Sequence, residues 1–147
     1  MMRVRFAVSV VLALLASAAL ANSYTPRANT RREIKKYVRT AASHIAEHGP
    51  SCSELASREW HSRDYYIFVL GPDKRTLCHP DPTLIGRPSS ENEKIVAAAM
   101  KVRGGWVDYL WPRPGTGRAA PKSTYAVHVK SPDGDLYIVA SGGYDLK

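Results

Sequence analysis

Two short turn signals constrain this chain more than any other feature. Gly71-Pro72-Asp73-Lys74 separates the aromatic and β-branched run at residues 65–70 from a second run at 76–79. Ser131-Pro132-Asp133-Gly134 likewise separates residues 122–130 from 136–141. Pro presets φ, and Asp and Gly accept the remaining turn geometry, so each pair of runs folds back as antiparallel neighbours. Residues 106–111 supply a fifth strand, with Val107, Tyr109 and Trp111 on one face and Trp106, Asp108 and Leu110 on the other. Residues 79–86 cannot be regular structure, because Pro80 and Pro82 remove backbone donors. Residues 112–121 form a ten-residue excursion rich in Pro and Gly.

Helical periodicity brackets these strands. Thr30 followed by Glu33 is a capping-box pattern. Ile34, Tyr37, Val38, Ala41, Ala42 and Ile45 then recur at helical spacing, leaving Arg31, Arg32, Lys35, Lys36 and Arg39 on the wetter side. Gly49-Pro50 stops that helix, and Ser51 or Ser53 caps a shorter one running through Leu55 and Ala56. A third helix spans residues 91–103, with Ile95, Val96, Ala98, Ala99 and Val102 as its apolar face, and Gly104-Gly105 ends it. The predicted fold class is α+β: an antiparallel sheet of about five strands, with helices covering one side.

The N-terminus reads as an address. Arg3 and Arg5 precede an apolar run at residues 6–20, and Ala19-Leu20-Ala21 presents small side chains where a signal peptidase reads, so cleavage is expected before Asn22. A spanning helix wants roughly 20 apolar residues; this run is shorter, and no later segment approaches that length. No membrane insertion is expected after cleavage. The remaining 126 residues suffice for one core and one domain, residues 22–147. Without Arg3 and Arg5 there are 19 basic against 13 acidic residues, a net charge of +6, which favours anionic ligands or surfaces. The cations are scattered and no zinc-finger, RNP or GxxG signature accompanies them, so nucleic acid is not expected. Export to a periplasmic or secreted location permits a disulfide, and Cys52 and Cys78 are the even count that one bridge needs; two buried thiols are the alternative.

Several ordered segments resemble a known family. These are Tyr65-Tyr66-Ile67-Phe68-Val69-Leu70, His79-Pro80, Leu84-Ile85-Gly86, Gly105-Trp106-Val107-Asp108-Tyr109, Trp111-Pro112, Pro114 and Pro121-Lys122-Ser123-Thr124-Tyr125. They look like the single Cache domain of bacterial extracytoplasmic sensors. The resemblance implies a PAS-like sheet with a long N-terminal helix, and a small molecule held between sheet and loops, often a short carboxylate such as acetate, propionate, pyruvate or lactate. It also implies a homodimer or a membrane signalling partner. No second apolar segment or output domain follows, so a standalone binding domain is expected. The stretch at residues 89–94 is less Asp- and Gly-rich than the family's, and residues 142–147 keep only part of its usual finish.

A buried carboxylate needs a cation or several donors. Lys122, at a strand start after a proline, is the candidate cation, and His79 a candidate donor. Tyr65, Tyr109 and Tyr125 combine an aromatic wall with a hydroxyl, and Trp111 could close the apolar end. Each aromatic is equally a core candidate. Alternation puts Lys122 and Tyr125 on opposite faces of one strand, which makes Tyr66 and Tyr144 the alternates. Catalysis finds little footing. Cys78 and His79 are strand neighbours that point apart. His44 and His48 enclose Ile45-Ala46-Glu47, which places the Glu wrongly for HExxH. No cofactor and no metal site is expected. The competing expectation is an interaction or structural module with a vestigial pocket.

Overall fold

Thr30 begins the first helix as its N-cap, its hydroxyl accepting from the Glu33 N–H at 3.2 Å. The reciprocal half of the capping box is absent. Glu33 instead accepts from the Arg27 N–H at 2.9 Å and from the Tyr24 hydroxyl, which pins the lead-in to the helix. The computed structural model describes residues 22–147, and the expected export signal, residues 1–21, lies outside the described residues. Among the described residues no helix is long and apolar enough to cross a membrane.

Helix α1 (Arg31–His48) buries the six residues its periodicity nominated, Ile34, Tyr37, Val38, Ala41, Ala42 and Ile45. Gly49 ends it with φ +76°, a conformation that costs glycine nothing. Ser51 caps the single turn α2 (Cys52–Leu55). The strands are β1 (Phe68–Leu70), β2 (Thr76–Cys78), β3 (Gly105–Pro112), β4 (Ala119–Lys130) and β5 (Leu136–Tyr144), with α3 (Ser90–Ala99) between β2 and β3. They form one antiparallel sheet in the order β2-β1-β5-β4-β3.

The helices do not share one side of this sheet, contrary to expectation. Alternation along β5 sends Val139 to a core with α1, while Ile138 and Ala140 go to a second core with Ile95 and Ala99 of α3. The central strand is therefore covered on both faces. The sequence 136–144 carries the reason: it is apolar or small almost throughout, as strands buried on both sides are.

Three boundaries moved. Strand β1 begins at Phe68, because Tyr65 is spent in an isolated bridge to Ser62. Helix α3 stops at Ala99, and the turn Lys101–Gly104 drops the chain onto β3. Val102, expected on the apolar face, is therefore 97% exposed. The proline-rich excursion shrinks to a tight loop closed by the Arg113 N–H on the Arg118 carbonyl, and β4 starts at Ala119. Pro121 fits there because that end of β4 is paired with β3 alone.

Cys52 and Cys78 are bonded, with Cα atoms 5.1 Å apart. The bridge fastens α2 to the edge strand β2, which is three residues long and has a neighbour on one side only. It closes a 26-residue separation, for which loop entropy gives roughly 3 kcal/mol. Replacing both cysteines with serine should lower unfolding stability by about that amount in urea titration, with β2 losing amide-exchange protection first.

Candidate functional site

Alternation along four strands aims one set of side chains at a cavity on the α3 face. Lys122 of β4 stands in register with Tyr109 of β3 and Tyr144 of β5. Tyr66 and Phe68 enter from β1 and the segment before it, and His79 follows β2. Ile95 and Asn92 of α3 and Leu84 of the irregular segment complete the lining. The cavity is small, about 40 Å³. The deep part suits a molecule of few heavy atoms.

Of the six nominated binding residues, His79, Tyr109, Trp111 and Lys122 line this cavity. Tyr65 and Tyr125 do not. Tyr125 has the opposite parity in β4, Tyr65 precedes β1, and both pack on the α1 side. The Tyr65 hydroxyl donates to Asn29 Oδ1 at 2.9 Å, and the Tyr125 hydroxyl donates to the Arg103 carbonyl. Tyr66 takes the place foreseen for Tyr65. Phe68, Asn92 and Ile95 were not foreseen as lining residues; the parity that excludes Tyr65 would have found Phe68.

Lys122 is 2% exposed. Its Nζ donates to Tyr66 Oη at 2.8 Å and lies 4.5 Å from the Tyr66 ring centre and 5.5 Å from that of Phe68. Among the described residues no carboxylate lies within salt-bridge distance of it. An ammonium has three donors, and one is used. Room for its stem comes from Gly142: a Cβ there would stand 3.0 Å from Lys122 Cε and 2.5 Å from the Ser123 carbonyl oxygen. Burial without a counter-charge pushes the Lys122 amine down from 10.5 to about 7.

His79 sits among the rings of Tyr66, Phe68 and Trp111, with centres 5.0, 5.9 and 6.5 Å away. Its Nδ1 accepts from the Asp81 N–H at 2.9 Å, which leaves Nε2 to carry the proton. Burial, and then the nearby Lys122, push it down to about 4. Burial holds the phenols of Tyr66 and Tyr109 well above their usual range, so both stay protonated. The Tyr109 hydroxyl is 2.8 Å from Thr124 Oγ1. Asn92 Nδ2 lies 2.9–3.3 Å from the Lys74 carbonyl, Thr76 Oγ1 and the Arg87 carbonyl, tying α3 to the cavity rim. The site therefore offers an amine, an imidazole N–H and phenols against aromatic walls. Among the described residues no three His, Cys, Asp or Glu side chains are grouped to hold a metal ion.

The buried amine makes stability depend on pH. Between about 7 and 10.5 the unfolded chain holds the Lys122 proton and the folded chain does not, so stability rises with pH there. Above 10 the unfolded tyrosines ionise while buried Tyr37, Tyr66 and Tyr109 resist, which reverses the trend. Between 6.5 and about 4, His79 destabilises the fold as pH falls, by the same reasoning. Urea unfolding between pH 7 and 9 in carboxylate-free buffer should show roughly 1 kcal/mol gained per pH unit. The Lys122→Met protein should lack that slope.

No family model and no curated protein matches the sequence. Solved structures do match the fold. A methyl-accepting chemotaxis protein from Vibrio parahaemolyticus RIMD 2210633 superposes with TM-score 0.51 and 23% identity, over 63% of this chain and 66% of that one. The periplasmic sensor domain of a chemotaxis protein superposes with TM-score 0.51 and 25% identity, over 73% and 74%. A Cache chemosensory domain, solved to explain its recognition of carboxylic acid, gives TM-score 0.51 and 22% identity, over 73% and 72%. By its sheet, its helices and these superpositions, the chain has the PAS-like α+β fold of a single Cache domain.

Proposed function

We propose that this protein is a non-enzymatic sensor-type domain that binds a short organic acid in the α3-face cavity. One observation carries the reading: a buried amine without a counter-charge, in a small cavity walled by Tyr66, Phe68, Tyr109 and Trp111. An isolated buried cation is expensive, and a ligand carboxylate would supply the missing partner. Two unspent donors on Lys122 Nζ, the Nε2–H of His79 and the phenol of Tyr109 suit its oxygens. The aromatic rings and Ile95 suit an alkyl end of a few carbons.

The similarity to periplasmic sensor domains, one of them studied for carboxylic acid recognition, supports this reading. With the disulfide it also supports a periplasmic or secreted location. A homodimer or a membrane receptor is the partner such a domain would inform. The amine, imidazole and phenols around Lys122 would bind and orient such a ligand.

Calorimetry with acetate, propionate, butyrate, lactate and pyruvate tests the proposal. At least one should bind, and Lys122→Met should weaken it by about tenfold or more, the worth of one charge-assisted hydrogen bond. Binding should take up protons between pH 7 and 9, read from buffers of different ionisation enthalpy, because the anion draws the Lys122 amine back to its charged form. Silence from the whole panel, with no melting shift, would favour the interaction module with a vestigial pocket.

A further inference from the structure

The sheet face opposite the cavity carries a second feature that the binding site does not use. Arg32, Lys35, Lys36 and Arg39 lie at i, i+3, i+4 and i+7 on the outer side of α1, where they line a shallow basic hollow with Thr40 and Ser43. Among the described residues none of the four makes an ion pair. Like charges at these spacings oppose helix formation, each pair by a few tenths of a kcal/mol. The side chains are nevertheless held in place. Lys36 Nζ lies 4.4 Å from the Tyr24 ring centre, and Lys35 and Arg39 approach that of Tyr125 at 5.5 and 5.9 Å.

This hollow continues into a different one. Arg39 and Ser43 also line a groove between the C-terminal half of α1 and the corner after α3, which Ala46, Val102, Arg103, Val127 and Val129 complete. Val102 is 97% exposed at its edge, whereas Val127 and Val129 are half-buried in its floor. One strip thus runs from four cations to a recessed apolar end.

We propose that this strip docks an acidic segment of a partner protein, extended, with carboxylates at alternate positions followed by one apolar side chain. From residue 32 to residue 46 the helix rises about 21 Å, which an extended segment of six or seven residues matches. Successive cations at residues 32, 36 and 39 are spaced about 6 and 4.5 Å apart along the axis. Their long side chains can spread to the same-face repeat of an extended chain, twice about 3.3 Å. A flat bilayer would meet Val102 but not the half-buried Val127 and Val129, and nucleic acid has no use for them. A second copy of the chain packed with its α1 parallel to this one would set cation against cation.

The test uses the protein purified as cells process it and a fluorescein-labelled peptide, Glu-Ser-Glu-Ser-Glu-Ser-Leu, followed by fluorescence anisotropy. The peptide should bind at about 50 mM salt and weaken strongly at about 300 mM, as screened charges do. The Lys36→Gln/Arg39→Gln protein should bind it about tenfold more weakly while melting no lower than the parent, since the change relieves like-charge crowding. Val102→Ser should weaken this peptide and leave a variant peptide ending in Ser unaffected. Equal affinity in the neutralised protein would overturn the proposal. So would no binding, or capture by phosphatidylglycerol vesicles or a DNA duplex in preference to the peptide.

Discussion

The pairing of β4 with β5 is the constraint on which the rest depends. Nine consecutive residue pairs, from Lys122 with Tyr144 to Lys130 with Leu136, fix which side chains share a face. Side chains alternate with a period of two, so the register assigns Tyr125 and Val139 to α1, and Lys122, Ala126, Ile138 and Ala140 to α3 and the cavity. A slip of one residue would exchange the two sets and place an amine under the main helix. Small residues guard the arrangement: Gly142 has no room for a Cβ against Ser123 and Thr124.

Given that register, the placement of Lys122 opposes folding, since its amine is buried without a counter-charge. Carrying its amine from 10.5 to about 7 corresponds to a penalty on the order of 5 kcal/mol for the charged form, a sizeable share of a small domain's stability. Two cores on opposite sides of the sheet offset it, and so do the aromatic faces of Tyr66 and Phe68. Fitness for folding alone would favour a methionine there. Packing gives no reason for a lysine at this position, which is why the proposed binding role rests on it.

Much of this was legible in the sequence, and the failures share a cause. The buried face of α1 and the five antiparallel strands follow from spacing and turn chemistry, which are local. Which of Tyr65 and Tyr66 faces Lys122 depends on register carried from β4 through β5 to β1, which is not local. The placement of helices on both faces was hinted at by the near-absence of polar residues in β5. The early end of α3 was not, since Val102 continues a helical pattern that the descent onto β3 interrupts. Asn92 could not have been nominated, because its three acceptors come from two other parts of the chain.

The cysteine bridge has a mechanical meaning beyond its entropy. Cys78 is followed at once by His79, whose ring walls the cavity, and Cys52 opens the helical turn whose Glu54 reaches His44 of α1 at 3.0 Å. The cavity wall and the main helix lie on opposite faces of the sheet, yet one covalent strut and one side-chain contact join them around the sheet's edge. The backbone beside His79 is therefore held to α2 by a covalent link independent of the strand hydrogen bonds between.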